Sequence, residues 1–558
     1  MQLTSEHIVA ALLLVGLAQL TAAEGLTPPE VAPTSRTSTG AVGTYSRAGG
    51  APQPRPPIKN PIDRLSFEKM RERGIAPSEI CSDSIFLRRV FLDCIGTFPS
   101  VDQSREFLSS RDPQKRAKLI EWLLERPEFA EYWTMKWGDL LRIESEYPVR
   151  LWPKAAGTYQ RWVKESIAKN KPYDQFVRDL VLSSGSNFRD GASNYYRAVA
   201  HRDPQTFADT TSLLFLGKRI GCVRCHARPN EKATLDDELA LAAVFSKVAF
   251  KQTSEWKEEI VYLDLDATFK DPRSGKVVAP RLPNGRVLQV ASDEDPRVKF
   301  AAWLTSPQNL DFSCNEVNRI WFWLMGRGIV QEPDDFRESN PPSNPELLDY
   351  LAAELIKSKF DTKHIYRLIL NSSTYQLSGR VGPRNAEDEA LFSHHLTRRL
   401  DAEVLLDAIS QVTETTEMYL NTTPAPFERL KDFRAIDIGD GSTPSAWLQL
   451  FGRPSRDTPY QSERCSHLNV RQVMNTLNSS DIERKITASG RIKRLLQTKA
   501  NDRQIIEEFY LAALSRYPTA QETQVLVKYL QHDKTAHFKS VQDVLWAIVN
   551  SREFLFNQ

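Results

Sequence analysis

Cys222-Val223-Arg224-Cys225-His226 is the run whose residue types and spacing can do chemistry. Two thiols three residues apart, with an imidazole directly after the second, form the attachment pattern of a c-type haem. Residues i and i+3 share one face of a helical turn, so both thiols can reach the two vinyl groups of one porphyrin. His226 then stands where it can serve as the proximal ligand of the iron. The same side chains suit other chemistry. Zinc could take Cys222, Cys225 and His226 with a fourth ligand from elsewhere. An iron–sulfur cluster could use the thiolates, and two cysteines this close could pair as a local disulfide in an oxidising compartment. On the motif alone these readings stay open.

A haem iron has a sixth position, for which the sequence offers His201, two dozen residues upstream, and Met325, a hundred residues downstream. Methionine would raise the potential and histidine would lower it. Each has a plainer reading: His201 as a loop histidine beside Arg202-Asp203-Pro204, Met325 as core filler. His394-His395 is a tempting pair, but neighbours on a helix diverge by about 100° and rarely share a metal, so surface histidines are expected. Cys465 and His467 lack further ligands. Asp437, Asp440 and Gly441 lack the alternating acids of a calcium loop and read as a turn. Ser442 has no nucleophile-elbow context. Trp133, Trp137, Trp152 and Trp162 are expected mostly in the core.

Residues 8–20 are a short apolar run followed by Thr21-Ala22-Ala23, the pattern of a secretory signal over 1–23, although residues 1–7 carry no Lys or Arg. Covalent haem attachment follows export, so signal and motif fit one history. The expectation is an exported chain in the periplasm or at the cell surface, peripheral to the envelope. No transmembrane helix is expected in the mature chain. The 73 basic and 71 acidic residues, for a net charge of +2, argue against a nucleic-acid partner. Cys81, Cys94, Cys314 and Cys465 are scattered; a Cys81–Cys94 disulfide and free buried thiols are both open.

The elements that must position the motif are mainly helical. Residues 24–60, rich in Pro, Gly, Ser and Thr, read as a disordered tether. Residues 61–249 form a first helical body. In it Leu119, Ile120, Trp122 and Leu123 keep helical spacing, Pro172 starts a helix, and residues 208–220 form a helix leading into the cysteines. Residues 250–293 change period: Ile260-Val261-Tyr262-Leu263 reads as a strand, and Asp271 to Gly275 and Pro283-Asn284-Gly285 as turns, predicting a small β-meander. Residues 294–558 form a second helical body. Asn344-Pro345 and Thr519-Ala520-Gln521-Glu522 mark helix starts in it, and Leu347, Leu348, Leu351 and Leu355 share a face.

Longer blocks carry a family resemblance. In the first body they are Leu87-Arg88-Arg89-Val90-Phe91-Leu92-Asp93, Trp133-Thr134-Met135-Lys136-Trp137-Gly138-Asp139, and Leu216-Gly217-Lys218-Arg219-Ile220-Gly221. In the second they are Val317-Asn318-Arg319-Ile320-Trp321, Met325-Gly326-Arg327-Gly328, Asp334-Asp335-Phe336-Arg337, Ser373-Thr374-Tyr375-Gln376-Leu377-Ser378 and Leu450-Phe451-Gly452-Arg453-Pro454. From residue 60 onward the chain resembles exported planctomycete proteins that pair a cytochrome-associated domain of unknown function with a planctomycete-surface domain of unknown function. The resemblance implies location and a haem-type motif rather than a reaction. The sequence departs from the family where relatives often carry His or Cys: Arg228, Lys136, Trp323, Tyr460 and Ser462 stand at those positions. Either relatives hold an additional metal there that this branch has lost, or those residues only pack and hydrogen-bond.

The expectation is therefore an exported, mainly α protein with one covalent haem c per chain on Cys222 and Cys225, and His226 on the iron. Its role would be electron transfer or haem-based redox chemistry with an unidentified redox partner. The alternative is a non-enzymatic envelope or cell-surface scaffold whose motif holds zinc or a disulfide.

Overall fold

The structure, a computed structural model, describes residues 56–145, 151–224, 234–420, 429–431, 433–464, 467 and 469–558. The signal segment, most of the tether, Cys225, His226, Arg228 and Cys465 lie outside the described residues. The fold is mainly α. The helices that frame the argument are α1 (Pro61–Glu72), α2 (Asp83–Ile95), α3 (Pro127–Leu140), α4 (Pro204–Leu216), α5 (Leu310–Met325), α6 (Pro345–Lys357) and α7 (Ala402–Thr413). Their ends follow from local chemistry. The Asn60 side chain caps α1 by accepting from the Ile62 N–H, with Pro61 in the first turn. Asn344 and Pro345 do the same for α6. Such caps contribute about 0.5–2 kcal/mol each. Gly96 ends α2 in a left-handed conformation, and a Cβ there would lie 2.5 Å from the Tyr132 ring.

The strands are few. β1 (Gly185–Ser186), β2 (Val248–Gln252) and β3 (Glu259–Leu263) form one antiparallel sheet in the order β1-β3-β2, with Phe250 opposite Val261. The expected meander is a hairpin, β2–β3, and its third strand comes from upstream, between helices of the first half. Downstream of it only single bridges occur, at Lys270–Val277 and Arg281–Val287, around the two predicted turns. β4 (Arg398–Arg399) pairs with β7 (Phe556–Asn557), and β5 (Met418–Leu420) with β6 (Arg429–Lys431).

α2 and α3 are buried almost all round, from Phe86 to Ile95 and from Phe129 to Leu140, the condition of helices inside a protein rather than on its surface. They pack against each other and against neighbouring helices of the first half, and the second half closes over the rest through Trp323, Tyr366 and β7. One continuous hydrophobic core runs from Ile62 through Trp133 and Trp321 to Phe554. Polar groups stitch it. Arg88 donates to the carbonyls of Ala513 (2.6 Å) and Phe554 (2.7 Å). Arg89 donates to those of Tyr375 (2.6 Å) and Leu377 (2.9 Å). The Asp93 carboxylate accepts from the Tyr375 hydroxyl (2.7 Å), Asn557 (2.8 Å) and Arg398. Asp63 in α1 accepts the N–H groups of Ser373 (3.0 Å) and Thr374 (2.8 Å). Hydrogen bonds to charged groups contribute about 1.5–3 kcal/mol each, and a buried orphan costs as much. The block around Arg88-Arg89-Asp93 and the block from Ser373 to Ser378 are thus the two sides of one grip.

Cys81 and Cys94 are both free and buried, so no disulfide joins them. Trp133 and Trp137 are core residues. Among the described residues no helix is long and apolar enough to cross a membrane.

Candidate functional site

Cys222 lies on a 3-10 turn, Ile220–Arg224, just beyond α4. Asp203 caps α4 and Pro204 opens it. The helix stops at Leu216 because Gly217 turns left-handed, at φ +65°. The predicted helix over 208–220 is therefore shifted four residues toward the N-terminus, and the cysteine sits on a separate turn. That turn is held from both sides. The Gly217 carbonyl accepts from the Phe336 N–H at 2.8 Å. Lys218 pairs with Asp311, and Arg219 with Asp334 at 2.5 Å. Arg224 reaches back to Asp209 in α4 and to Glu238, at 3.3 Å, in the helix Leu235–Ala242. Cys222 itself is half-buried and free. Substituting Gly217 by alanine is expected to cost about 1–3 kcal/mol in urea denaturation. The new Cβ would meet the Phe336 ring at 2.5 Å and Asn315 Oδ1 at 2.8 Å in a conformation L-residues avoid.

His201 is exposed in the loop before α4, whereas Met325 is buried, 2 % exposed, at the end of α5. His394 is half-buried, and His395 is not the surface residue expected: it is 1 % exposed and stands edge-on to Tyr375. The pair lies on irregular chain rather than on a helix, so one ring turns inward. Burial first, then the charges of Arg89 and Arg398, push His395 well below the usual histidine range, so it is neutral. His467 is exposed. The Asp440 turn docks on the end of the first half, with both carboxylate oxygens of Asp440 accepting from Ser145, at 3.0 and 2.6 Å.

A second site forms where the halves meet. Lys136 and Trp323, two of the positions the resemblance singled out, line one cavity of about 100 Å³, and Gln461, between Tyr460 and Ser462, lines it too. The Trp323 indole N–H donates to Gln461 Oε1 at 3.1 Å. Behind these residues lies a buried ion network. Lys136 Nζ is 2.5 Å from Asp401 Oδ2. Arg464 bridges the halves, donating to Asp139 Oδ2 (2.8 Å) and Glu403 Oε2 (2.7 Å), while Arg456 holds the other Asp139 oxygen at 3.0 Å. Burial works to raise the Asp401 carboxyl, but Lys136 and Arg464 outweigh it and hold that group well below the usual carboxylate range. Glu403 is lowered likewise, with Arg464 overcoming burial. In this chain the positive charge beside the cavity is therefore ammonium and guanidinium. Among the described residues no group of three or more His, Cys, Asp or Glu is arranged to hold a metal ion.

Sequence reasoning missed Asp139, Arg398, Asp401, Glu403 and Arg464. The signal for the network was Lys136 itself, a charge set between Met135 and Trp137 in an otherwise apolar helix. The cavity also connects to the cysteine turn, because Asp334, which holds Arg219 through Oδ1, accepts the Gln461 N–H through Oδ2 at 2.9 Å.

No curated protein and no solved structure matches the chain. Two family descriptions do. Residues 61–250 match PSCyt2, a protein of unknown function (DUF1549), and residues 296–530 match PSD1, a protein of unknown function (DUF1553). The first match contains α1 to α4 and the Cys222 turn, the second α5 to α7 and Arg464. A chain in which the two occur in this order, gripping one another along α2 and α3, belongs to the planctomycete family that pairs the cytochrome-associated PSCyt2 domain with the PSD1 domain.

Proposed function

We propose that this is an exported haem protein of the periplasm or cell surface, with one haem c attached through Cys222 and Cys225 and with His226 as proximal ligand. The observation that carries the reading is the state of Cys222: a free, half-buried thiol on a turn pinned by Arg219 and Arg224, inside a Cys-x-x-Cys-His run. The donor set, two thiols and an imidazole, fits thioether attachment and axial ligation. When bound, the haem supplies one-electron redox chemistry, and the protein sets its exposure and potential. The residues of this chain do the positioning. Gly217 ends α4 so that the turn can leave it, and the pairs of Lys218 and Arg219 fix that turn against the second half. Of the two sixth-ligand candidates, His201 is open to solvent, whereas Met325 would have to leave the core.

Production of the exported chain in a host that matures c-type cytochromes tests the reading. Expected are a haem stain that survives denaturing electrophoresis, one haem per chain by mass, and a reduced α-band. Cys222→Ala with Cys225→Ala abolishes covalent attachment, whereas His226→Ala keeps the stain and moves the Soret band. Stoichiometric zinc without iron, or a Cys222–Cys225 disulfide in chain matured under those conditions, overturns it in favour of a scaffold.

A further inference from the structure

We propose that the cavity between the two halves is a binding site for a small oxyanion, a carboxylate, sulfate or phosphate, held by Lys136, Arg398 and Gln461. The argument is a balance of donors against acceptors. The carboxylates on the cavity wall are engaged by the protein. Asp401 faces Lys136 (2.5 Å) and Arg464 (3.6 Å), and Asp93 accepts from Tyr375, Asn557 and Arg398. The donors are in excess. Arg398 spends one guanidinium nitrogen on Asp93, and among the described residues its other two bond no protein acceptor. Lys136 uses one ammonium N–H, on Asp401. Gln461 is oriented by its other groups: its Oε1 accepts from Trp323 (3.1 Å) and its backbone N–H donates to Asp334 (2.9 Å), which leaves the side-chain NH₂ as a donor without a protein acceptor.

These groups line about 100 Å³. That is more than a single water needs and suits a few heavy atoms rather than a large substrate. None of these donor atoms is both sealed from solvent and unpaired, so they stay available to an occupant, and a charged acceptor bonds them about twice as strongly as a neutral one. Leu92, Phe322, Trp323, Leu400 and Val404 form the apolar part of the wall. This leaves room for a short organic carboxylate as well as for an inorganic ion. The site draws on both halves, and Gln461 shares Asp334 with Arg219, so an occupant would sit one carboxylate away from the cysteine turn.

Calorimetric titration of the full mature chain with acetate, sulfate and phosphate, at ionic strength fixed with chloride, tests this without reference to haem. One anion equivalent per chain is expected from at least one of the three. Binding of acetate assigns an organic acid; binding of sulfate or phosphate alone assigns an inorganic ion. Gln461→Glu keeps the acceptor for Trp323 and replaces the donor with a negative charge, so affinity should fall about tenfold or more while the circular dichroism spectrum is unchanged. Lys169→Glu, on an exposed helix end away from the cavity, should leave affinity unchanged. No saturable binding of any of the three, or equal affinity in folded Gln461→Glu, overturns the proposal.

Discussion

Replacing Arg464 by methionine lowers the free energy of unfolding by about 3–5 kcal/mol, the cost of breaking a buried ion pair by removing one partner. The magnitude follows from what Arg464 leaves behind. The Glu403 carboxylate accepts from both terminal nitrogens of Arg464, its nearest cation, and it is 2 % exposed. Asp139 keeps Arg456, and Asp401 keeps Lys136. Three carboxylates would then share two cations in a space with little access to solvent. Changing Glu403 to glutamine in the same chain removes the orphaned charge, so the double variant should be more stable than Arg464→Met alone. Strict additivity of the two losses would show that the pair is not coupled. The pH dependence has a definite sign. Asp401 and Glu403 are lowered in the fold, so their contribution is present above the ordinary carboxylate range near pH 4 and is lost as the pH falls below it. The deficit of Arg464→Met against the wild type should therefore be largest at neutral pH and shrink toward pH 3, as read by urea midpoints across that range.

Glu144 behaves in the opposite way. It is 3 % exposed, and its Oε1 has no hydrogen-bond partner. Burial first, then Asp457, raise its carboxyl to about 8, against the pull of Arg456 and Arg142. The unfolded chain ionises this group near the ordinary value of about 4.3. Between those two values the folded state holds a proton that the unfolded state has released, so stability falls as pH rises, and the full penalty is reached above pH 8. Glu144→Gln removes that dependence. The variant should exceed the wild type at pH 8.5 by an amount on the order of 2–4 kcal/mol, and the two should converge below pH 4.5. Parallel stability curves across this interval would mean that Glu144 is ionised in the fold.

Helix starts were open to reading because a cap is local. Asn344 before Pro345 and Thr519 before Glu522 begin helices where residue type says they should. The helix leading to the cysteines was misplaced for an equally local reason: its Asp203-Pro204 start and Gly217 stop weigh more than the apolar run between them. The third strand of the sheet, Gly185–Ser186, is two residues long and is defined only by its partner 76 positions away, at Val261 opposite Gly185. No periodicity marks such a strand. The candidate site divides in the same way. Spacing alone singled out Cys222. The cavity is assembled from Lys136, Trp323, Arg398, Asp401 and Arg464, and its central ion pair spans 265 residues, so nothing in any one segment announces it beyond a charge in apolar company. Asp93, between Leu92 and Cys94 in the buried run of its helix, carried the same hint.

The grip of Arg88, Arg89 and Asp93 on the segment from Tyr375 to Leu377 bears on how such a protein can be inherited. A gene that lost the second half would strand two guanidiniums and a carboxylate, and one that lost the first half would leave Arg398 and the carbonyls of Tyr375, Leu377 and Phe554 without these partners. Recombination can therefore shuffle what surrounds this pair far more easily than it can divorce its members. Genomes carrying these sequences should show them fused or adjacent, with changes at Asp93 accompanied by changes at Arg398 on the far side of the seam.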